Sequence, residues 1–410
     1  MFDCPRLRDL RGQMNEEEGL SVEAGMDHER SRGGVSRRRF LGWAVAAASL
    51  MSLRSSAQTG DKGVPPRRLE RLAPGANVCR WFRFPRQTTA EHFADYIRES
   101  EAECMARVGL RHVRLCVAPA VILDVREGRP RPEILPHLEQ AIRRFHRVGL
   151  AVVVDLHNED RQAELDPAWQ DAFVRFWGEL ARRLNAFDPD LTFLEFINEP
   201  VFQGREEEWN QLNARLATAI RRNAPGHTFI TSGPNWGGIR GLRRLKLLED
   251  RNVVYSFHFY EPFPFTHQGA TWSSEEVKPL RQVPYPSSPE AVAPLLEGLK
   301  DHPGARAMLE RYGEQRWNAE RLAAEFQQAV SWGQSHGVPL YCGEFGVFPR
   351  HARPEHRAQW FRDVGQILAR HKVGWAVWGW DEGFGLARQW VNGRPVVDET
   401  VARALGLQPC

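Results

Sequence analysis

The feature that most constrains the fold of this chain is a regular alternation between short apolar runs and longer amphipathic stretches. Eight runs are predicted to form strands: Gly75–Arg80, His112–Val117, Ala151–Leu156, Thr192–Ile197, His227–Thr231, Val253–Phe257, Val338–Cys342 and Gly374–Val377. Helical periodicity is found over Thr89–Val108, Ile134–Val148, Pro167–Ala186, Glu206–Asn223, Ala319–His336 and Pro354–His371. The continuous apolar character of Ala151–Leu156 is typical of strands that are buried on both faces.

This alternation predicts an α/β protein whose parallel strands are joined by right-handed crossovers. Eight units favour closure into a (β/α)₈ TIM barrel over an open sheet. No Gly-x-Gly-x-x-Gly follows the first strand to indicate a dinucleotide-binding fold. Barrels of this kind use 200 to more than 400 residues as one domain. We therefore expect a single barrel domain over residues 73–410.

A long segment after the sixth strand, residues 261–316, interrupts the alternation. Its prolines exclude a continuous helix across its first half, although Pro294–Glu310 has room for one or two short helices. Loops this long in compact domains tend to be functional or disordered. The segment carries several aromatic side chains, namely Phe263, Phe265, His267, Trp272 and Tyr285. These residues favour a functional loop, with Trp272 as a candidate substrate contact.

The N-terminal residues are predicted to form a targeting signal rather than part of the folded domain. Ser36-Arg37-Arg38-Arg39-Phe40-Leu41 resembles a twin-arginine export signal, the short apolar run Gly42–Leu53 follows, and Ser55-Ser56-Ala57 offers a cleavage site. We expect a signal peptide over residues 1–57 and a linker over 58–72. The mature protein would be periplasmic or extracellular, without a stable membrane anchor. The alternative is a basic, disordered tail, and Met26 is a second candidate start.

Composition narrows the choice of partners. The formal net charge of +3 comes from interspersed acids and bases, which gives no indication of a nucleic-acid partner. The chain contains 14 tryptophans, most of which are expected to be core or helix-packing residues. A sugar-binding cleft would account for several, because aromatic platforms suit the flat C–H faces of sugars. The cysteines show no CxxC spacing, so we expect Cys79, Cys116 and Cys342 to be buried free thiols.

Polar side chains cluster where the predicted strands end. In chain order they are Arg114, His157-Asn158, Asn198-Glu199-Pro200, Asn235-Trp236, His258, Tyr260, Glu344 and Trp378. Active residues of a barrel project from the carboxyl ends of its strands. A single carboxylate there carries little information, since salt bridges and helix caps use carboxylates constantly. Two carboxylates on opposite walls, Glu199 and Glu344, are what the hydrolysis of a glycosidic bond requires.

Together these residues resemble the functional set of glycoside hydrolase family 5, the cellulase family. The set comprises Arg114, His157, Asn198-Glu199-Pro200, His258, Tyr260, Glu344 and Trp378. The most specific stretches are Phe193–Pro200 and Gly343-Glu344-Phe345-Gly346, and the similarity extends over most of the chain after the predicted signal. Asn-Glu-Pro alone occurs across a wider clan of retaining barrel glycosidases. The order of the whole set indicates the family.

The resemblance implies roles for these positions. Glu199 is expected to be the acid/base and Glu344 the nucleophile of a retaining mechanism, with Arg114 and Tyr260 orienting Glu344. Asn198 would bind the sugar 2-hydroxyl, His157 and His258 would bind hydroxyls or orient the carboxylates, and Trp378 would form the floor of the −1 subsite. A raised pKa is expected for Glu199. The resemblance also implies a cis peptide bond at Trp378–Gly379. Further substrate-binding candidates are Asn158, Trp236 and Trp272.

The expected activity is endo-hydrolysis of a β-linked polysaccharide, with β-1,4-glucan as the first choice. Mannan, mixed-linkage glucan or another β-glycan is the alternative substrate, and transglycosylation is the alternative reaction. A carbohydrate-binding barrel without catalysis is the least favoured hypothesis. No cofactor or metal is expected, because the early strands lack the His-x-His of hydrolytic metal barrels. The protein is expected to act as a monomer.

Some of these residues also have a purely structural interpretation. Glu195 is expected to be a buried, paired group of the fourth strand rather than a catalyst. Arg114 has an alternative role as a salt-bridge partner in the core. Trp81 and Phe82 are either platforms in the cleft or packing residues at the mouth of the barrel.

Overall fold

The computed structural model of the protein describes residues 63–381, 384–391 and 394–409. The predicted signal peptide, residues 1–57, and the first part of the predicted linker lie outside the described residues. Within the described ranges, no helix combines the length and the apolar character needed to cross a membrane.

Eight parallel strands close into a barrel in which each strand pairs with its neighbours in the sequence. They are β1 Gly75–Phe82, β2 His112–Val117, β3 Ala151–Leu156, β4 Thr192–Glu195, β5 Thr228–Ser232, β6 Val253–Phe259, β7 Leu340–Phe345 and β8 Gly374–Val377. All eight predicted strands are present, and the (β/α)₈ barrel is confirmed.

One helix or helical segment follows each strand and packs outside the barrel. These are α1 Glu99–Val108, α2 Leu135–Arg147, α3 Pro167–Leu184, α4 Glu206–Asn223, α5 Ile239–Leu242, α6 Ala319–His336, α7 Pro354–Arg370 and α8 Glu399–Ala404. Short helical turns also occur at Ala90–Asp95, Pro119–Ile122 and Ala163–Leu165. Two small antiparallel ribbons pair Leu123–Asp124 with Arg129–Pro130 and Ala387–Val391 with Arg394–Val397.

The first helical stretch differs from the sequence-based expectation. It is divided into Ala90–Asp95 and α1 instead of forming one helix over Thr89–Val108. At the break, the carbonyl groups of Ala94 and Ile97 accept hydrogen bonds from the guanidinium of Arg144 on α2. Because this distant side chain satisfies carbonyls that a continuous helix would use, the break is a tertiary effect that local propensity does not reveal.

The predicted linker, residues 58–72, is only partly a linker. Pro66–Leu69 forms one helical turn and Glu70–Leu72 continues it as a 3₁₀ turn. The buried guanidinium of Arg68 donates to Asp190 (2.7 Å) and to Thr228 at the start of β5 (3.0 Å). The folded domain therefore begins before residue 73, because this segment covers the amino-terminal end of the barrel.

Leu72 completes the apolar base of the barrel. It belongs to a buried layer of inward-facing side chains, together with Ala151, Val153, Phe193, Ile230, Val254, Tyr341 and Ala376. A Cβ atom on Gly374 would lie 2.8 Å from the Cβ of Leu72, so this close approach requires glycine. The centre of the base is therefore filled by hydrocarbon, while buried polar groups such as Arg68 and His112 lie around it.

The segment between β6 and α6 is an ordered insertion. It contains helices at Phe263–Thr266, Pro289–Leu296 and Pro303–Glu314, with a 3₁₀ turn at Glu297–Leu299. The range Pro294–Glu310, which had room for one or two short helices, thus contains parts of two that extend beyond it. Tyr285 is buried, and its hydroxyl donates to Asp363 of α7 at 2.8 Å, which attaches the insertion to the outside of the barrel.

The three strand cysteines, Cys79, Cys116 and Cys342, are buried free thiols, as predicted. Cys104 on α1 is disulfide-bonded, which no spacing of cysteines in the sequence indicated.

Candidate active site

The polar residues predicted from the strand ends meet at the carboxyl rim of the barrel. Arg114 lies on β2 and His258 on β6, while Glu199 follows the end of β4. His258 is the register partner of Glu344 on β7, after an irregularity at Phe257, and this pairing places the two side by side. The rim collects them because the carboxyl ends of parallel strands in a closed barrel point the same way.

Arg114 is the centre of a buried charge network and is fully inaccessible to solvent. Its Nε and Nη2 donate to the two carboxylate oxygens of Glu195, at 2.7 and 3.0 Å. Its Nη1 donates to Glu344 Oε1 at 2.7 Å, and its Nη2 lies 3.1 Å from Asp155 Oδ1. Glu195 is therefore the paired structural group that was predicted. Arg114 serves both of its proposed roles, since it is a core ion-pair partner that also holds Glu344.

Two members of this network were missed in the sequence. Asn77 on β1 accepts from Arg114 Nη1 at 2.9 Å, and it donates to the carbonyl groups of Gly343 and Val377 on β7 and β8. Asp155 lies on β3, where burial raises the pKa of its carboxyl group well above the usual value, although Arg114 opposes the rise. A polar residue within an otherwise apolar strand was the available signal in both cases.

A chain of hydrogen bonds fixes the orientation of Asn198. His157 Nδ1 lies 2.8 Å from Asp155 Oδ2, and His157 Nε2 lies 3.0 Å from Asn198 Nδ2. Burial lowers the pKa of His157 well below its usual value, so the ring is neutral, with Nδ1 donating and Nε2 accepting. Because Arg114 Nη2 donates to Asn198 Oδ1 at 2.8 Å, the amide cannot flip. The second hydrogen on Asn198 Nδ2 remains for a substrate hydroxyl.

Glu199 and Glu344 face each other across His258. The Nδ1 of His258 lies 2.7 Å from Glu199 Oε1 and 3.5 Å from Glu344 Oε2. One carboxylate oxygen of each glutamate and a ring nitrogen of His258 all lie within 4.8 Å of one another. Retaining glycosidases hold their two carboxyl groups about 5–5.5 Å apart, whereas inverting enzymes need about 6.5–9.5 Å. A separation of the nearest oxygens within 4.8 Å favours the shorter, retaining spacing over the wider one.

A family model described as cellulase (glycosyl hydrolase family 5) matches residues 73–383. The chain belongs to glycoside hydrolase family 5. It is 30% identical over 316 residues to endoglucanase C of Acetivibrio thermocellus, covering 75% of this chain and 90% of that relative. Cellodextrinase A of Ruminococcus flavefaciens is 25% identical, with 76% and 84% covered.

A solved structure of a mutant form of Thermotoga maritima Cel5A in complex with cellobiose has the same fold. Its TM-score is 0.67 at 24% sequence identity, and the match covers 84% of this chain and 99% of that one. The protein is thus a glycoside hydrolase of family 5, whose general mechanism is retaining.

The ionisation of the two glutamates departs from the expectation that the pKa of Glu199 is raised. Burial alone would raise it, but the hydrogen bond and charge of His258, with help from Arg161 and Arg114, lower it below the usual value. Burial raises the pKa of Glu344, while His258 and Arg114 oppose this. The interaction with His258 accounts for the difference. Burial lowers the pKa of His258, but Glu344 and Glu199 raise it overall.

Glu199, His258 and Glu344 therefore titrate as one coupled system rather than as separate residues. The 2.7 Å hydrogen bond between His258 Nδ1 and Glu199 Oε1 links the ionisation of these two groups directly.

Three tryptophans lie along the same rim. Trp378 is nearly buried, and its ring centroid is 5.7 Å from that of His157, which puts it at the floor of the site. The peptide bond between Trp378 and Gly379 is cis, as the resemblance implied. Trp236 and Trp272 are 55% and 61% exposed, so both offer a ring face or edge to a substrate. Trp236 packs against the guanidinium of Arg161, and Trp272 contacts Phe348.

Other predicted contacts have structural roles. Asn158 is buried, and its amide donates to Asp160 O (2.7 Å) and to Glu164 Oε1 (3.1 Å). It therefore stabilises the loop after β3, and its contact with substrate stays a prediction. Trp81 and Phe82 are fully buried and pack against each other, so they are packing residues of the barrel mouth.

The charges in the site disfavour a metal ion. Glu199, His258 and Glu344 form one group of candidate ligands, and Cys116, Asp155 and His157 form a second. The guanidinium of Arg114 contacts Glu344 in the first group and Asp155 in the second. Its fixed positive charge would repel a cation at either place.

Tyr260 is a second side chain, besides Arg114, that holds Glu344. Its hydroxyl donates to Glu344 Oε2 at 3.0 Å, whereas Arg114 holds Oε1. Burial, together with the charges of Glu344 and Glu199, raises the pKa of Tyr260 well above its usual value, so the phenol stays protonated.

We predict that Tyr260→Phe lowers kcat/KM about 10- to 150-fold, because a hydrogen bond to a charged group contributes about 1.5–3 kcal/mol. Steady-state kinetics and thermal unfolding of the variant test this. The matched control is Tyr285→Phe, which removes a hydroxyl bonded to Asp363 in the insertion and should leave kcat/KM unchanged. Equal losses in the two variants would contradict a specific role for Tyr260.

Proposed function

We propose that the protein hydrolyses internal β-1,4 linkages of a glucan with retention of configuration, using Glu199 as acid/base and Glu344 as nucleophile. The observation that carries the proposal is the close pairing of these carboxylates across His258, within 4.8 Å. The 30% identity to an endoglucanase over 90% of that protein supports a β-glucan as the substrate. The described chain supplies every side chain of the site, so a monomer is proposed to be active.

In the first step, Glu344 attacks the anomeric carbon while Glu199 protonates the departing glycosidic oxygen. Both oxygens of Glu344 are held before substrate arrives, by Arg114 and Tyr260. This preorganisation means that the nucleophile need not be reoriented as charge moves to the sugar. Asn198 Nδ2 donates to the 2-hydroxyl, and that bond strengthens as the oxocarbenium character develops.

In the second step, water attacks the anomeric carbon and displaces the carboxylate of Glu344, while Glu199 removes a proton from that water. Once Glu344 is esterified, it carries no charge, so its contribution to raising the pKa of Glu199 is lost. His258 and Arg161 then favour the ionised form of Glu199, which is the form that acts as a base. The same surroundings thus serve both steps.

A panel of β-1,4-glucan, mixed-linkage glucan, mannan and xylan tests the proposal. We expect β-1,4-glucan to be cleaved fastest and its viscosity to fall before much reducing sugar appears, as endo action requires. Proton NMR of the first product should show the β-anomer. Preferential cleavage of mannan, or an α-anomer as the first product, would contradict the proposal, and accumulation of longer oligosaccharides would indicate transglycosylation.

The insertion between β6 and α6 is proposed to contribute to substrate specificity through Trp272. Its ring contacts Phe348, with centroids 4.6 Å apart, and lies 6.2 Å from Phe384. Phe384 in turn packs 5.8 Å from Tyr260, whose hydroxyl holds the nucleophile. Trp272 is therefore connected to the catalytic centre by packed rings, yet most of its surface is free to stack on a sugar.

Trp272→Ala is expected to lower kcat/KM on the polymer by about 1–3 kcal/mol in transition-state binding, about 5- to 150-fold. Short aryl glycosides that do not reach the ring serve as the internal control and should be cleaved almost normally. Equal losses on both substrates would mean that Trp272 only supports the fold, and an unchanged rate on the polymer would exclude contact with substrate.

Residues 1–57 are proposed to direct export through the twin-arginine route, on the basis of Arg37 and Arg38 followed by an apolar run and small residues. The mature enzyme would then meet its substrate in the periplasm or outside the cell.

Changing both Arg37 and Arg38 to Lys should retain the enzyme in the cytoplasm. Fractionation followed by an activity assay measures this, with Arg30→Lys, outside the motif, as the control. Normal export of the double variant would contradict the proposed route.

A further inference from the structure

Arg161 contacts the catalytic machinery although no sequence pattern singles it out. It lies in the loop after β3, and its guanidinium is mostly shielded from solvent. Nη1 donates to the backbone carbonyl of Asn198 at 3.1 Å, and Nη2 lies 4.0 Å from Glu199 Oε2. The guanidinium carbon is 5.2 Å from the ring centroid of Trp236. One side chain thus contacts both the backbone next to Glu199 and an exposed aromatic platform.

Glu164 completes a clamp on the same segment. It is fully buried, and its Oε1 accepts from Arg161 Nη1 at 2.8 Å. Its Oε2 accepts from the backbone N–H of Val201 at 3.1 Å. Arg161 therefore holds the chain on one side of Glu199, at Asn198, while its ion-pair partner holds it on the other, at Val201.

The clamped residue has an unfavourable backbone conformation. Glu199 has a φ of 43°, in the left-handed region that residues with a Cβ atom rarely adopt. Such conformations cost about 1–3 kcal/mol and persist only where surrounding contacts enforce them. The contacts of Arg161 and Glu164 on either side of Glu199 are contacts of this kind.

Charged and titratable groups surround Glu199 on several elements. They are His258 and Tyr260 from β6 and its end, Glu344 from β7, Arg114 from β2, His267 from the insertion and Arg161 from the loop after β3. Tyr260, Arg114 and His258 also contact Glu344. His267 lies in the insertion. Arg161 is the charge that approaches Glu199 from the side of Trp236.

We propose that Arg161 is a positioning residue for the acid/base, which holds Glu199 where it can protonate the leaving oxygen of a sugar bound over Trp236. The proposal rests on the function proposed above, in which Glu199 is the general acid. Its role is exerted through Glu199, because the contacts that define it are to the backbone and carboxylate of that segment.

A misplaced general acid affects substrates unequally. Expulsion of a sugar hydroxyl needs a proton, whereas expulsion of a dinitrophenolate does not. Loss of Arg161 should therefore slow cleavage of the polymer and of poor leaving groups far more than cleavage of an activated aryl glycoside. A residue that merely stabilised the loop would affect all of these substrates alike.

Removal of the charge should also change the pH profile. The positive charge of Arg161 favours the ionised form of Glu199, so its loss strengthens proton binding to the acid/base system. The alkaline limb of kcat/KM, where the required proton is lost, should then move upward by about 1 pH unit.

The test compares Arg161→Gln and Arg161→Lys on aryl β-cellobiosides whose phenols span a range of pKa values. For Arg161→Gln, we expect a loss of kcat/KM that is at least about 10-fold greater for the poorest than for the best leaving group. Arg161→Lys keeps the charge but not the planar fork, so the alkaline limb should return to its wild-type position while the dependence on the leaving group persists. Arg182→Gln, at an exposed arginine of α3, is the matched control and should match the wild type.

Equal losses across all phenols, with an unchanged alkaline limb, would overturn the proposal. Glu199→Gln, assayed alongside, separates this result from failure of the proposed function. If Glu199→Gln shows a steep dependence on the leaving group and the Arg161 variants do not, only the role of Arg161 is wrong. If Glu199→Gln shows none, the acid role of Glu199 fails, and the proposal for Arg161 fails with it. If Arg161→Gln does not fold, the leaving-group dependence of Arg161→Lys tests the proposal instead.

Discussion

The buried guanidinium of Arg114 is the interaction on which the site depends. A charge at this depth is tolerated only when it is paired and hydrogen-bonded, because desolvation of an unpaired ion costs several kcal/mol. Arg114 satisfies this condition with carboxylates from three other strands: Asp155 on β3, Glu195 on β4 and Glu344 on β7. The ion pairs that compensate for the burial of Arg114 also hold Glu344 in place, so the stability of the core and the geometry of the site depend on one network.

The network lies near the rim, above an apolar layer that fills the centre of the base of the barrel. Inward-facing positions alternate along each strand, and in β3 they change from Ala151 and Val153 at the base to Asp155 near the rim. The apolar layer excludes water from below, which strengthens every electrostatic interaction above it. His258 lies at the upper edge of this arrangement, where it is close enough to both glutamates to couple their ionisation.

Much of the fold and site was predictable because the signals are local. Two-sided burial leaves continuous apolar runs, and these predicted all eight strands, whereas the polar strand ends predicted Glu199 and Glu344. The errors arose where a partner is distant in the sequence. Arg68, for example, attaches part of the expected linker to the barrel through Asp190, which is 122 residues away in the sequence.

The sequence by itself determined the alternation of strands and helices, the closure of the barrel and the residue types at its rim. These follow from periodicity and from the chemistry of each side chain. Only the tertiary structure decided which of these groups share a proton and which hold the others in place. His258 reverses the pKa shift expected for Glu199, and Arg161 comes to lie beside the same carboxylate. Coulombic interactions and hydrogen bonds depend on distances of a few ångströms, and those distances are set only when remote segments pack together.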